Sequence, residues 1–187
     1  HEQVHPTVLA SDLRSAGRPV VADLSADRLT TVLAGGLTVV KVSDDELLAD
    51  GRVTGTSQEE LIDALHRMHA EGAANVIITR AEDPVLVLAN GAVREVRMPK
   101  MQVVDTHGAG DSLTAGVAAT LARDGSMEDA VQVGVAAGAL NVTHHGLGTG
   151  QAEALLKLRR LVTTHTIESE RSRRVTPREL ADRANEE

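Results

Sequence analysis

The stretch Asp105-Thr106-His107-Gly108-Ala109-Gly110-Asp111 leads into a small-and-apolar helical pattern from Ser112 to Leu121, so a Gly-rich turn opens a helix there. Glycines at such a junction let backbone N–H groups approach a ligand, and the unpaired N–H groups of a first helical turn favour an anion such as phosphate. A carboxylate at the edge of that site, Asp111, would be repelled by a resting phosphate. It is suited instead to accept a proton from a hydroxyl that attacks the phosphorus, which is phosphoryl-transfer chemistry. The competing reading makes Asp111 an ordinary helix N-cap behind a Gly-rich turn.

Upstream, helix and strand patterns alternate. Helical spacing over Val8–Ala16 breaks at Gly17-Arg18-Pro19, before a buried strand from Pro19 to Leu24 that includes an acid, Asp23. Ala26–Leu33 reads as a short amphipathic helix ended by Gly35-Gly36, and Leu37–Val42 as a second, β-branched strand. A helix begins at Asp44. Ser57 with Glu60 forms a capping box for a helix to Glu71, whose Leu61, Leu65 and Met68 line one face. Ala74–Thr79 is a third buried strand, and Pro84–Ala89 and Ala92–Met98 flank Asn90-Gly91, a strong hairpin signal. The ligand loop follows at Val103-Val104-Asp105, then helices at 109–123 and 128–142, rich in Ala and Gly. Such alternation predicts a mostly parallel sheet with helices on both faces. Past Gly150 the character changes. Ala152–Leu161 reads as a helix, Thr163–Arg174 as a polar, charged tail, and Thr176-Pro177-Arg178-Glu179 as the start of a short terminal helix.

The 187 residues suffice for one globular α/β domain. They include no Phe, Tyr, Trp or Cys, so the core is aliphatic and any adenine pocket must be aliphatic too. Disulfides, thiolate metal sites and thiol catalysis are excluded, as suits a cytosolic protein. A net charge of -8 argues against a nucleic-acid partner. The absence of a membrane-length apolar run or a signal-peptide pattern leads to the expectation of a soluble, cytoplasmic chain without a membrane partner. No Gly-x-Gly-x-x-Gly follows the first strand, which argues against a dinucleotide-dependent dehydrogenase.

The run from Asp105 to Ala118 resembles the C-terminal signature of the PfkB/ribokinase family of carbohydrate kinases, Asp-Thr-x-Gly-Ala-Gly-Asp. The Lys41–Leu48 segment and the wording Gly108-Ala109-Gly110-Asp111-Ser112-Leu113 point to its phosphofructokinase-like branch. The resemblance implies a ribokinase-like α/β fold and ATP-dependent, magnesium-assisted transfer to a hydroxyl of a sugar or sugar phosphate. Asp111 would be the base, and the N–H groups of Gly108, Ala109 and Gly110 would steady the transferred phosphoryl group. Lys41-Val42-Ser43-Asp44-Asp45-Glu46 resembles the family's Asn-x-x-Glu element, with Ser43 in place of Asn; Glu46 would hold magnesium and the phosphates through water. The same two residues also read as a helix capping box. Thr79-Arg80-Ala81 stands where the family has a Thr-x-Gly turn. Arg80 there either supplies charge to the phosphates or is a surface arginine. The stretch Ala136–Thr143, with Gly138 and Asn141, resembles the wall of the adenine site. Asp105 and the His144-His145-Gly146 turn lie where some members bind a monovalent cation such as K+, a role left open.

The resemblance spans about residues 5–150, which it makes the nucleotide-binding and catalytic portion, with 151–187 as a C-terminal helix and tail. It aligns with the C-terminal part of the family; the N-terminal part, source of the lid and most sugar-binding residues, has no counterpart. The expectation is therefore an unpaired sheet edge and association with the missing portion or with further copies of this chain. The alternative is a truncated, non-catalytic nucleotide-binding or oligomerisation module.

Overall fold

The computed structural model describes residues 6–98, 101–102, 104–143 and 151–169. The elements run α1 (Pro6–Ser15), β1 (Val21–Asp23), α2 (Ala26–Leu33), β2 (Leu37–Ser43), α3 (Asp44–Ala49), α4 (Gln58–Ala70), β3 (Ala73–Arg80), β4 (Asp83–Ala89), β5 (Ala92–Arg97), α5 (Ala109–Leu121), α6 (Met127–Val142), α7 (Ala152–Arg159) and β6 (Thr163–Ser169). The His144-His145-Gly146 turn and the terminal helix expected at Thr176 lie outside the described residues.

The strands form one sheet in the order β1-β2-β3-β4-β5-β6. Parallel pairing is confined to β1–β2 and β2–β3; β3–β4, β4–β5 and β5–β6 are antiparallel. The α/β reading with helices on both faces stands, and the sheet is mixed rather than mostly parallel. Beyond the tight β3–β4 turn, where Arg80 pairs with Asp83, the antiparallel half has two causes. One is the β4–β5 hairpin, whose Asn90 (φ 51°) and Gly91 (φ 69°) both adopt the left-handed backbone that a tight type I′ turn needs. The other is β6, which pairs along β5 from Arg97↔Thr163 to Ala92↔Ser169. The polar tail expected from Thr163 onward therefore begins with a strand. Its β-branched Thr163, Thr164, Thr166 and Ile167 favour extended backbone, and an edge strand keeps polar side chains in water without penalty.

Strand alternation sorts the core into two layers. Val40, Val42, Val76, Ile78, Leu86 and Leu88 face Leu29, Leu33, Leu47, Leu61, Leu65 and Met68 from the helices that precede β3. Val39, Ile77, Val87 and Val96 face Leu113 and Val117 of α5 and Val131 and Val135 of α6. By the same parity Lys41, two residues after Val39, belongs to the α5–α6 face. Helix starts follow local chemistry: the hydroxyls of Ser43, Ser57 and Ser126 accept from the N–H groups of Glu46, Glu60 and Asp129. At Ser43 the capping box is complete. The Glu60 carboxylate turns instead to the Thr54 hydroxyl at 2.6 Å, the main cause of its lowered pKa. Among the described residues no helix is long and apolar enough to cross a membrane.

Helices α5 and α6 cross at glycines. A Cβ on Gly116 would lie 2.9 Å from the Gly134 Cα, and one on Gly134 would lie 2.8 Å from the Leu113 carbonyl oxygen. With backbone as the obstacle, Gly116→Ala must push the helices apart. It is expected to cost about 1–3 kcal/mol, the range for overpacking, despite the better helix propensity of alanine; chemical denaturation measures it. At the β3–β4 turn, Ala81 carries φ 40°, a left-handed conformation that opposes a Cβ. Ala81→Gly is expected to raise stability by about 1 kcal/mol, read as an upward shift of the melting temperature.

Candidate active site

The parallel strands end together. Asp23 of β1 is level with Lys41 of β2, and Ser43 of β2 with Thr79 of β3. The carboxyl ends of parallel strands are where open α/β sheets bind ligands, and here the start of α5 comes to that edge. Gly108 is the N-cap of α5 with φ 74°, a left-handed turn that glycine adopts without penalty. This corrects the N-cap reading of Asp111, which sits at the third helical position, exposed and without a partner among the described residues. Of the three N–H groups assigned to the anion site, that of Ala109 leans on the Thr106 carbonyl oxygen at 3.4 Å. Those of Gly108 and Gly110 donate to no group among the described residues.

The end of α6 holds this loop in place. The Val142 carbonyl accepts from the N–H groups of Val104 (2.8 Å) and Asp105 (3.2 Å), and the Nδ2 of buried Asn141 donates to the His107 carbonyl at 2.6 Å. Asn141 thus fixes the turn from behind and is not among the residues that line the cleft described next. Asp105 Oδ1 accepts from the His107 N–H at 3.0 Å and meets the ring Nδ1 at 2.7 Å, closing a local Asx turn.

A cleft of about 540 Å³ opens between the β3–β4 turn, the end of β5 and the facing ends of α5 and α6. Thr79, Arg80, Ala109, Gly110 and Gly138 line it, so one cavity joins these five expected positions. Its apolar wall comes from Met98, Met101, Leu113, Val135 and Val142. A Cβ on Gly138 would lie 3.0 Å from the Ala109 carbonyl oxygen, a tight contact, so helix packing by itself favours glycine there.

Arg80 is not a surface residue. It is 8% exposed, its Nε donates to the Pro84 carbonyl at 2.6 Å, and its guanidinium lies 3.5 Å from Glu95 Oε1. These bonds tie it to the hairpin while it borders the cleft. Ser43 and Glu46 lie on the neighbouring strand end, beyond the cleft lining. Glu46 Oε2 accepts from the Ser43 N–H at 2.7 Å and its hydroxyl at 2.9 Å, so the capping box is real and occupies one carboxylate oxygen. Burial, with the like charge of Asp45 adding, pushes the pKa of neighbouring Asp44 up, against the Asp45 N–H that it accepts. Among the described residues no group of three or more His, Asp or Glu is arranged to hold a metal.

Lys41 is 7% exposed, and its Nζ donates to both carboxylate oxygens of Asp23 at 3.1 Å. A Cβ on Gly110 would fall 2.8 Å from that ammonium, which therefore lies directly under the turn. Thr114 Oγ1 stands 2.8 Å from Asp23 Oδ2 and 3.0 Å from the Gly110 carbonyl oxygen. Sequence reasoning noted Asp23 only as an acid near a strand end and passed over Thr114. The signal available was an acid closing an apolar strand, together with a threonine one helical turn after Gly110.

A Gly-rich turn over a buried ammonium, beside an aliphatic cleft at the carboxyl edge of an α/β sheet, is an arrangement suited to an anionic ligand. The family model for the pfkB family carbohydrate kinase matches residues 9–154, and the chain belongs to that family. It is 31% identical over 144 residues to a 1-phosphofructokinase of Bacillus subtilis, covering 75% of this chain and 46% of that protein. Phosphofructokinase-2 from Escherichia coli in complex with potassium superimposes with a TM-score of 0.74 at 26% identity, over 83% of this chain and 51% of that one. Arabidopsis thaliana ribokinase complexed with ribose and ATP shares the fold, with a TM-score of 0.72 at 23% identity, over 83% of this chain and 52% of that one. The chain thus spans about half the length of these relatives.

Because the atoms nearest a Gly110 Cβ are the end of a flexible side chain, Gly110→Ala is expected to leave the fold intact and displace the Lys41 amine. Circular dichroism should be unchanged, while affinity for Mg-ATP should fall about tenfold, the order expected for one charge-assisted hydrogen bond.

Proposed function

We propose that the chain carries the nucleotide and phosphoryl-transfer site of an ATP-dependent sugar or sugar-phosphate kinase. The observation that carries the reading is the Gly108–Gly110 turn at the start of α5, with Lys41 beneath it and an exposed carboxylate, Asp111, directly after it in the first helical turn. The nucleobase occupies the aliphatic cleft beside Gly138, and the terminal phosphates reach the turn. There the free N–H groups and the Lys41 ammonium offset negative charge. Asp111 takes the proton of the attacking acceptor hydroxyl; its exposure places it where a sugar can arrive. Arg80 and Thr79 border the same cleft, where the arginine would add positive charge near the phosphates.

The donors around β2 suit magnesium, a hard cation that keeps most of its waters. Glu46, with Oε2 committed to the cap, offers Oε1 to a magnesium-bound water, and Ser43 orients that carboxylate. When bound, magnesium supplies neutralisation of phosphate charge. Potassium near Asp105 is a separable part of the reading. The potassium in the phosphofructokinase-2 structure motivates it, and a buried acceptor beside the loop, Asn141 Oδ1, has no hydrogen-bond partner among the described residues. Completion of the sheet by another chain or segment is supported by the outer edge of β1, which pairs with no strand among the described residues, and by the exposed Val8, Leu9 and Leu13 of α1.

Ser43 and Ala81, which stand where the family pattern has Asn and Gly, motivate the second reading, a nucleotide-binding or oligomerisation module without catalysis. One experiment separates the two: ADP release from Mg-ATP over a panel of sugars and sugar phosphates, with Asp111→Asn alongside. The kinase reading expects turnover with at least one acceptor and loss of about three to four orders of magnitude in Asp111→Asn with nucleotide binding retained. Equal turnover by the variant rejects Asp111 as base, and nucleotide binding without turnover of any acceptor favours the module.

A further inference from the structure

Lys41 joins two requirements that ordinarily conflict. Its ammonium is buried at the positive end of α5, where like charge disfavours it, yet it is placed where an incoming anion would need it. Asp23 resolves the conflict. Both its oxygens accept from Nζ, and Oδ2 also receives the Thr114 hydroxyl, which sits one turn along α5 and reaches back to the Gly110 carbonyl. Strand β1, strand β2 and helix α5 are thereby tied at one point. Asp23 and Thr114 do not line the cleft.

We propose that Asp23 and Thr114 are positioning residues that hold the Lys41 ammonium under Gly110, so that the turn binds phosphate as a charged site rather than as bare backbone. This rests on the phosphate-site reading given above. It also explains the glycine at 110, whose backbone has no left-handed φ: the position needs the absence of a side chain to admit the lysine.

The proposal makes a prediction opposite in sign to simple electrostatics. Removing a negative charge close to an anion site should strengthen anion binding if Asp23 is only a nearby charge. If Asp23 positions Lys41, removing it should weaken binding, because the ammonium loses its anchor. The test is calorimetric titration of the 187-residue chain with inorganic tripolyphosphate, and separately with Mg-ATP. Asp23→Asn is expected to weaken both about tenfold, the scale of a lost charge-assisted bond. Thr114→Val is expected to weaken them about threefold, and Thr114→Ser, which keeps the hydroxyl, should restore wild-type affinity. On a Lys41→Met background Asp23→Asn should have no further effect, since the residue acts through the lysine.

Equal or tighter binding by Asp23→Asn, with a normal melting profile, overturns the proposal while leaving the phosphate site standing. Should Asp23→Asn fail to fold, the Thr114 pair decides, and equal affinities of Thr114→Val and Thr114→Ser overturn it. A wild-type chain that binds neither tripolyphosphate nor Mg-ATP overturns the phosphate site and this proposal together.

Discussion

The crossing of α5 over α6 at Gly116 and Gly134 is the contact on which the arrangement depends. With no Phe, Tyr or Trp to span wide gaps, small and branched side chains fill the space between α5 and α6 best where the backbones come close. Glycine at the crossing allows that approach. The same register brings the end of α6 to the start of α5, where Asn141 and Val142 brace the loop from Val104 to His107. Packing behind the site thus fixes the turn in front of it. A chain with bulkier residues at the crossing would carry the same motif on a displaced helix.

Electrostatics then define what the turn can hold. Helix α5 offers unpaired N–H groups, and β2 delivers a lysine to the same place because its parity puts residue 41 on the α5 face. A lone buried ammonium there would be costly, since desolvation and the helix end both disfavour it. The pairing with Asp23 offsets that cost and leaves the carboxylate behind the lysine, away from the cleft. The result is a polar layer between an aliphatic cavity and an aliphatic core, made of three residues from three elements.

Much of this was legible locally. The caps at Ser43 and Ser57, the Asn90-Gly91 hairpin and the apolar strands depend on neighbours within a few residues, and each formed near its expected place. The glycine-to-alanine departure at Ala81 was also readable, and φ 40° shows why glycine suits that turn. Three readings were incomplete for a common reason. The strand Thr163–Ser169 looked like tail because its character comes from pairing with β5, and Arg80 was open to reading as surface because its partners, Pro84 and Glu95, lie across a hairpin. Asp111 was open to reading as a cap because the choice between N-cap and third position rests on the backbone angle at Gly108.

The sequence by itself determined the menu of elements, the aliphatic nature of core and cleft, and the presence of an anion-favouring turn with an acid after it. These follow from side-chain chemistry and short-range hydrogen bonds. Only the tertiary structure decided that the sheet is mixed and that Lys41 lies under Gly110. It alone showed that Asp23 meets Thr114 across 91 residues. Such contacts exist only once the helix crossing has closed the chain on itself, and no local pattern encodes the distance between groups so far apart along it.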